Sequence, residues 1–267
     1  MDAVVRASPR HKPVSLFATC MVDSIFPPVG MATVRILDYL DIPLTFPEGQ
    51  TCCGQPAFNA GAWDDARPVA RQFMRAFADA EVIVTPSGSC ASMVRHFYPM
   101  LFADDPALHQ QAVHAASITW ELTEYLVDGL GVTDLGGRLP PTRVALHHAC
   151  HGLRLGGLRD QARQLVDAID GVTVVDLPGA ETCCGFGGLF AVKMAPVSTA
   201  MLREKIAAIE ATDADVVLTG DAGCMAHING GLQRARVAPQ VRHVASLIAD
   251  SLQTPVPDST RMERDKS

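Results

Sequence analysis

Thr182-Cys183-Cys184-Gly185 repeats, residue for residue, the earlier stretch Thr51-Cys52-Cys53-Gly54. One cysteine precedes each copy, Cys20 or Cys150, and one follows it, Cys90 or Cys224; these eight are all the cysteines in the chain. The two sets read C-x31-CCG-x35-C and C-x32-CCG-x38-C, with equivalent cysteines 130, 131 and 134 residues apart. So small a drift marks an internal duplication, and the duplicated unit carries four thiols.

Adjacent cysteines call for a chemical reason. Neighbouring Cα atoms lie about 3.8 Å apart across a trans peptide, but a disulfide between them closes a strained ring. Two neighbouring thiolates can instead face two metal atoms of one cluster. Gly54 and Gly185 suit that use, because glycine takes positive φ and turns backbone N–H groups toward a bound inorganic group.

The pattern around the cysteines alternates strand and helix. Val14 to Thr19 reads as a strand that delivers Cys20 at its end, and Met31, Val34, Leu37 and Leu40 recur at helical spacing. Pro43 to Phe46 is a second short strand before Cys52 and Cys53. Ala66, Val69, Ala70, Phe73, Met74 and Phe77 mark an amphipathic helix, with Asp64 or Asp65 as its cap and Pro68 in its first turn. Val82-Ile83-Val84 is a buried strand before Cys90, and helices are expected over 92–102 and 106–130. The second half repeats this order. Strands at 144–148, 172–176 and 216–218 lead to Cys150, Cys183-Cys184 and Cys224, with helices around Ala162 to Ile169 and from Pro196 to Ile209. Val241 to Ala249 ends the pattern with a short strand and helix.

This order predicts an α/β fold of two pseudo-repeated domains, each a mainly parallel sheet flanked by helices. The cysteine loops fall at the carboxyl ends of the strands, where ligands collect in such sheets. The divisions are a loose leader over 1–12, a first domain over 13–130, a Gly/Pro-rich linker over 131–142, a second domain over 143–253 and a flexible tail over 254–267.

With 267 residues and 48% hydrophobic content the chain can bury ordinary cores, and 8 cysteines are too few for a disulfide scaffold. No run of eighteen apolar residues or signal-like segment occurs, so a cytoplasmic, reduced setting without a transmembrane segment is expected. A net charge of −7 without a basic cluster argues against a nucleic-acid partner. Gly185-Phe186-Gly187-Gly188 fails the dinucleotide pattern, since Phe190 stands at its last glycine.

The residues leave two metal readings open. Four thiolates per repeat suit an iron–sulfur cluster; four, or three with His227, suit a structural zinc. Adjacent cysteines are unusual for zinc, whose ligands are typically spaced C-x2-4-C. His147, His148 and His151 flank Cys150 as candidate hydrogen-bond donors or ligands.

The thiol pattern resembles the cysteine-rich CCG-domain proteins, which include heterodisulfide-reductase B-type subunits and the glycolate oxidase iron–sulfur subunit. Phe46 to Pro56, Pro86-Ser87-Gly88-Ser89-Cys90 and Cys183 to Gly188 are similar, within that group, to the lactate-utilisation protein A family. The resemblance runs from about Leu16 to Ala249. It implies an iron–sulfur electron-transfer subunit of an oxidoreductase complex that converts L-lactate to pyruvate, not catalytic alone. The implied cluster is [4Fe–4S], bound by Cys20, Cys52, Cys53, Cys90, Cys150, Cys183, Cys184 and Cys224, with a ferredoxin-like iron–sulfur protein among the partner subunits. A glycolate oxidase subunit or a zinc-bound assembly subunit are the alternatives. The family's last cysteine is replaced by Met93 in one repeat and His227 in the other, which speaks against a five-thiolate centre and against thiol–disulfide catalysis by this chain. Met93 is expected to be packing.

Overall fold

The computed structural model describes residues 6–252. Strands β1 (Val14–Leu16), β2 (Leu44–Thr45), β3 (Val82–Thr85) and β4 (Thr119–Glu121) form one parallel sheet in the order β2-β1-β3-β4. Strands β5 (Arg138–Leu146), β6 (Asp170–Val175), β7 (Val216–Thr219) and β8 (Gln240–His243) form a second in the order β6-β5-β7-β8. The register repeats as well: Val14 pairs with Leu44 and Val82, and Val144 pairs with Val174 and Val216. The duplication seen in the cysteines is therefore a duplication of the whole sheet.

The central strands β3 and β7, Val-Ile-Val-Thr and Val-Val-Leu-Thr, are buried along their full length, as strands covered by helices on both faces must be. Helix Trp63–Ala76 turns Ala66, Ala70, Phe73 and Met74 inward. Asp64 and Asp65 lie in its first turn rather than at the cap, where their charge suits the positive end of the helix, and Pro68 sits inside the helix, beyond the first turn. The two halves share one core: Ile36 and Leu37 of helix Pro27–Tyr39 belong to the same apolar cluster as Leu247 and Ile248 of helix Val244–Ser251. Among the described residues no helix is long and apolar enough to cross a membrane.

Several elements depart from the sequence reading, each for a physical reason. The run 106–130 is not continuous helix: β4 interrupts it, held by pairing with β3, a contact that local periodicity does not carry. Strand β5 begins at Arg138, inside the stretch read as linker; there it pairs only with β6, and this open edge accepts Pro140 and Pro141. Helix Ala222–Ala235 was hidden by Gly230 and Gly231. At Gly231 a Cβ would stand 2.6 Å from Ile206 Cδ1, so a glycine there lets this helix approach helix Ala195–Glu210. The leader is not loose from residue 6 onward, because Arg6 pairs with Glu124 at 2.9 Å and covers the Trp120 ring at 3.6 Å. The tail over 254–267 lies outside the described residues.

Glu121, at the end of β4, caps the next turn by accepting from Thr123 N, Thr123 Oγ1 and Glu124 N through one oxygen, while the other has no partner. Burial pushes its carboxyl up to about 7. The folded state thus binds this proton more tightly than the unfolded chain does. Stability is present below the ordinary carboxyl pKa and is lost as pH rises through about 7. Glu121→Gln should therefore gain on the parent protein between pH 5 and 8, by up to ~3 kcal/mol at 1.36 kcal/mol per pKa unit. Denaturant melts of both proteins across that range check it. A difference that stays flat with pH would refute it.

Candidate metal centre

The thiols sit where the strands end. β1 and β5 each run out into a short helix, Cys20–Ser24 or Cys150–Arg154, whose first residue is the cysteine. β3 and β7 each lead into a helix with the cysteine in its first turn, Cys90 in Gly88–Ser92 and Cys224 in Ala222–Ala235. Four of the eight cysteines therefore stand in helix first turns, not in loops as the sequence suggested. The other four, Cys52-Cys53 and Cys183-Cys184, remain in loops past β2 and β6. Gly54 and Gly185 follow them at φ +84° and +90°, the left-handed turn expected of glycine.

The two sets of thiols face one another. A single cavity of about 390 Å³ is lined by all eight cysteines, with Thr19, Ser87, Ser89, His151, Arg154 and Asp221 among its other walls. Each half contributes a deep pair and a shallow pair. Cys53 and Cys90 are buried with sulfurs 3.3 Å apart, and Cys184 and Cys224 are buried at 3.4 Å. Cys20 is exposed and Cys52 half-buried, 3.6 Å apart; Cys150 and Cys183 are both half-buried. Disulfide sulfurs lie about 2.0 Å apart, and all eight thiols here are free.

Protons are distributed unequally among these thiols. Hydrogen bonds from Cys20 and then Cys53, with the Gly54 N–H at 3.4 Å, hold the Cys52 thiol down to about 3. Hydrogen bonds from Cys150 and Cys184, with the Gly185 N–H at 3.4 Å, hold Cys183 down to about 2. The donors Cys20, Cys53, Cys150 and Cys184 are pushed up in consequence. Each half thus presents one ready thiolate, and a bound cation would displace the remaining protons. The donor set fits a thiophilic metal or an iron–sulfur group: four sulfurs per half, with apolar residues behind the deep pair and backbone N–H groups at the adjacent glycine.

The histidines separate. His147 is buried, and its ligating nitrogen, Cys184 Sγ and Cys224 Sγ all lie within 4.8 Å of one another. Among the described residues its ring nitrogens have no side-chain hydrogen-bond partner, and burial pushes it down to about 3. His151 Nδ1 stands 3.6 Å from Cys150 Sγ. His227, the candidate histidine ligand, instead has Nε2 3.4 Å from Ser198 Oγ, which donates to the Gly185 carbonyl. It supports the second thiol loop through Ser198. Met93 is fully buried in the core beside Cys53 and Cys90, as packing. Sequence reasoning did not single out Lys205, which is buried with Nζ on the Gly179 carbonyl and stands as a lone lysine within the apolar stripe Leu202, Ile206 and Ile209.

Fold and site together define a protein of the CCG cysteine-rich class, and the cysteine-rich domain model CCG matches residues 14–95 and 144–229. The chain is 46% identical over 239 residues to Lactate utilization protein A 2 of Bacillus cereus, covering 90% of this chain and 98% of that one. It is 46% identical over 235 residues to Lactate utilization protein A of Geobacillus kaustophilus, covering 88% and 98%. The chain belongs to the lactate utilization protein A family. Its fold is shared, at a TM-score of 0.62 and 9% identity, with a hypothetical protein from Helicobacter pylori, over 94% of this chain and 51% of that one.

The two glycine turns are not equally tight. A Cβ on Gly185 would lie 2.7 Å from the Ser198 carbonyl oxygen, whereas one on Gly54 would lie 3.4 Å from the Ala66 oxygen. Left-handed backbone costs a non-glycine residue about 1–2 kcal/mol, and Gly185→Ala adds a backbone clash. Gly185→Ala should lower the melting temperature by clearly more than Gly54→Ala. Equal losses would contradict the packing difference.

Proposed function

We propose that this protein is an iron–sulfur electron-transfer subunit of a complex that oxidises L-lactate to pyruvate. The observation that carries the reading is the convergence of eight free thiols, four from each repeat, on one cavity. Membership of the lactate utilization protein A family supports lactate as the complex's substrate. Cys20, Cys52, Cys53 and Cys90 would hold one group and Cys150, Cys183, Cys184 and Cys224 the other, as [4Fe–4S] clusters. Such a group supplies reversible one-electron transfer when bound. The chain's own residues fix the thiolates, release their protons on binding and shield the deep sulfurs from water. Substrate chemistry and the electron acceptor belong to partner subunits, among them a ferredoxin-like iron–sulfur protein, in a cytoplasmic complex. Leu189, Val192, Met194 and Val197 are exposed apolar side chains just past the second thiol pair, which suits a rim that meets a partner.

Anaerobic purification and reconstitution followed by iron and sulfide analysis test this directly. The expected result is iron with acid-labile sulfide and a visible band bleached by dithionite. A colourless protein with stoichiometric zinc would overturn it in favour of a structural metal subunit. Reduction of the assembled complex by glycolate but not by L-lactate would move the reading to a glycolate oxidase.

The Gly185 to Gly188 stretch offers more backbone N–H groups to bound anions than Gln55-Pro56 does after Gly54. Cys183→Ser or Cys184→Ser should therefore remove more iron than Cys52→Ser or Cys53→Ser. Equal loss from both pairs, read by metal analysis, would make the halves equivalent.

A further inference from the structure

The two halves differ sharply at one pair of positions beneath the thiols. The 130-residue offset of Cys20 and Cys150 places His147 where the first half has Phe17. Gly54 packs against Ala66 and Val69, and Gly185 against Ser198 and Met201, an offset of 132 that places Lys205 where the first half has Phe73. In the first half these positions are an aromatic pair, Phe17 and Phe73, edge to face with centroids 4.9 Å apart and both fully buried. In the second half they are an imidazole and an ammonium group, each only 2% exposed.

Such a pair is costly unless something anionic meets it, because a buried charge or polar group without a partner loses its hydration. Among the described residues Lys205 Nζ donates only to the Gly179 carbonyl. Burial lowers its pKa, and the groups that oppose that lowering are Cys184, Cys224 and Cys183. Among the described residues His147 has no side-chain hydrogen-bond partner, only the Ala180 backbone bears on its ring, and it stands within 4.8 Å of the same deep sulfurs, Cys184 and Cys224. Among the described residues neither group has a carboxylate counter-ion; His147 stands at the deep sulfurs of this half, and Lys205 takes the place held in the first half by Phe73, which packs in one cluster with Cys53 and Cys90.

We propose that Lys205, as a buried ammonium, and His147, as a neutral hydrogen-bond donor, form a seat for the anionic centre of the second half, making it easier to reduce than the first-half centre. The inference rests on the iron–sulfur reading above. Positive charge and hydrogen bonds to sulfur favour the reduced, more negative state of a centre. Each centre gains one electron, and no bond in the protein is made or broken. Electrons then pass from the first half to the second, so the second half faces the outlet of the chain. Lys205 and His147 are positioning residues, since they act through the bound centre.

Dithionite titration of the reconstituted full chain, followed by electron paramagnetic resonance, tests it. Cys52→Ser/Cys53→Ser and Cys183→Ser/Cys184→Ser chains assign the signals to halves. Lys205→Met should shift the reduction equilibrium of the second-half centre at least tenfold toward the oxidised form, about 59 mV for one electron, and leave the first-half centre unmoved. His147→Phe, which copies the first half, should shift it in the same direction, and Lys205→Arg should restore the parent value. In the metal-free protein Lys205→Met should melt at the same temperature or higher, because it removes a buried charge that has no counter-ion. A purely structural lysine would instead lower the metal-free melting temperature and leave the potential alone, which overturns the proposal. Two centres with equal potentials in the parent protein would also overturn it while leaving the iron–sulfur reading intact. Absence of iron from the parent protein sinks both.

Discussion

The carboxylate of Asp221 holds the two repeats in the relation on which the site depends. One oxygen accepts from Gly223 N at 3.1 Å and caps the helix that carries Cys224. The other accepts from Ser87 Oγ at 3.1 Å and Ser89 N at 3.2 Å, in the equivalent turn of the other repeat. Ser87 in turn caps the helix that carries Cys90. Charge-assisted bonds of this kind, almost wholly out of water, are stronger and more directional than neutral ones. Gly88 N to Gly220 O at 3.3 Å and His243 Nε2 to Pro86 O at 3.0 Å complete the seam. Because the seam lies at the strand ends, it brings the thiols of both repeats to one cavity.

The seam also accounts for the difference between the two cap residues. Ser87 and Asp221 occupy equivalent positions, and both are good cap residues. Two aspartates would set like charges against each other across the seam, and two serines would leave no ionised acceptor for the Ser89 N–H. The same logic applies one strand further out, where β4 ends in Glu121 beside Gly220 and β8 ends in His243 against Pro86. Duplication fixed the positions; the contact between the copies then required unlike residues at them.

Much of this was legible in the sequence because it is local or periodic. The repeated tetrapeptide, the buried strands Val82–Thr85 and Val216–Thr219, and the alternation of strand and helix carry both the fold and the eight site thiols. What was not legible depends on contacts between distant residues. Nothing near Thr119 announces that three residues will pair with β3, and nothing near Gly231 says that a helix must pass close to Ile206. The meeting of two thiol sets in one cavity is of this kind, since it depends on contacts between the repeats, such as Ser87–Asp221 across 134 residues. His227 drew notice from its place in the motif, while His147, three residues before Cys150, is the histidine that reaches the deep sulfurs. Motif position records ancestry; the direction a side chain faces is set by the local backbone that carries it.

The deep and shallow thiol pairs give the cavity a polarity that bears on any group it would hold. Cys53, Cys90, Cys184 and Cys224 stand on the core side, packed among Phe17, Phe73, Met93 and Met225, where water is excluded and charges act at longer range. Cys20, Cys52, Cys150 and Cys183 stand nearer solvent, with Met21, Pro56, Phe186 and Phe190 on the cavity walls. A redox group seated between them has its environment set from below by buried side chains and its exchange with other proteins set from above. The two tasks fall on different residues. A change at the floor, such as phenylalanine to lysine, can therefore alter the surroundings of one thiol set without rebuilding the outer surface.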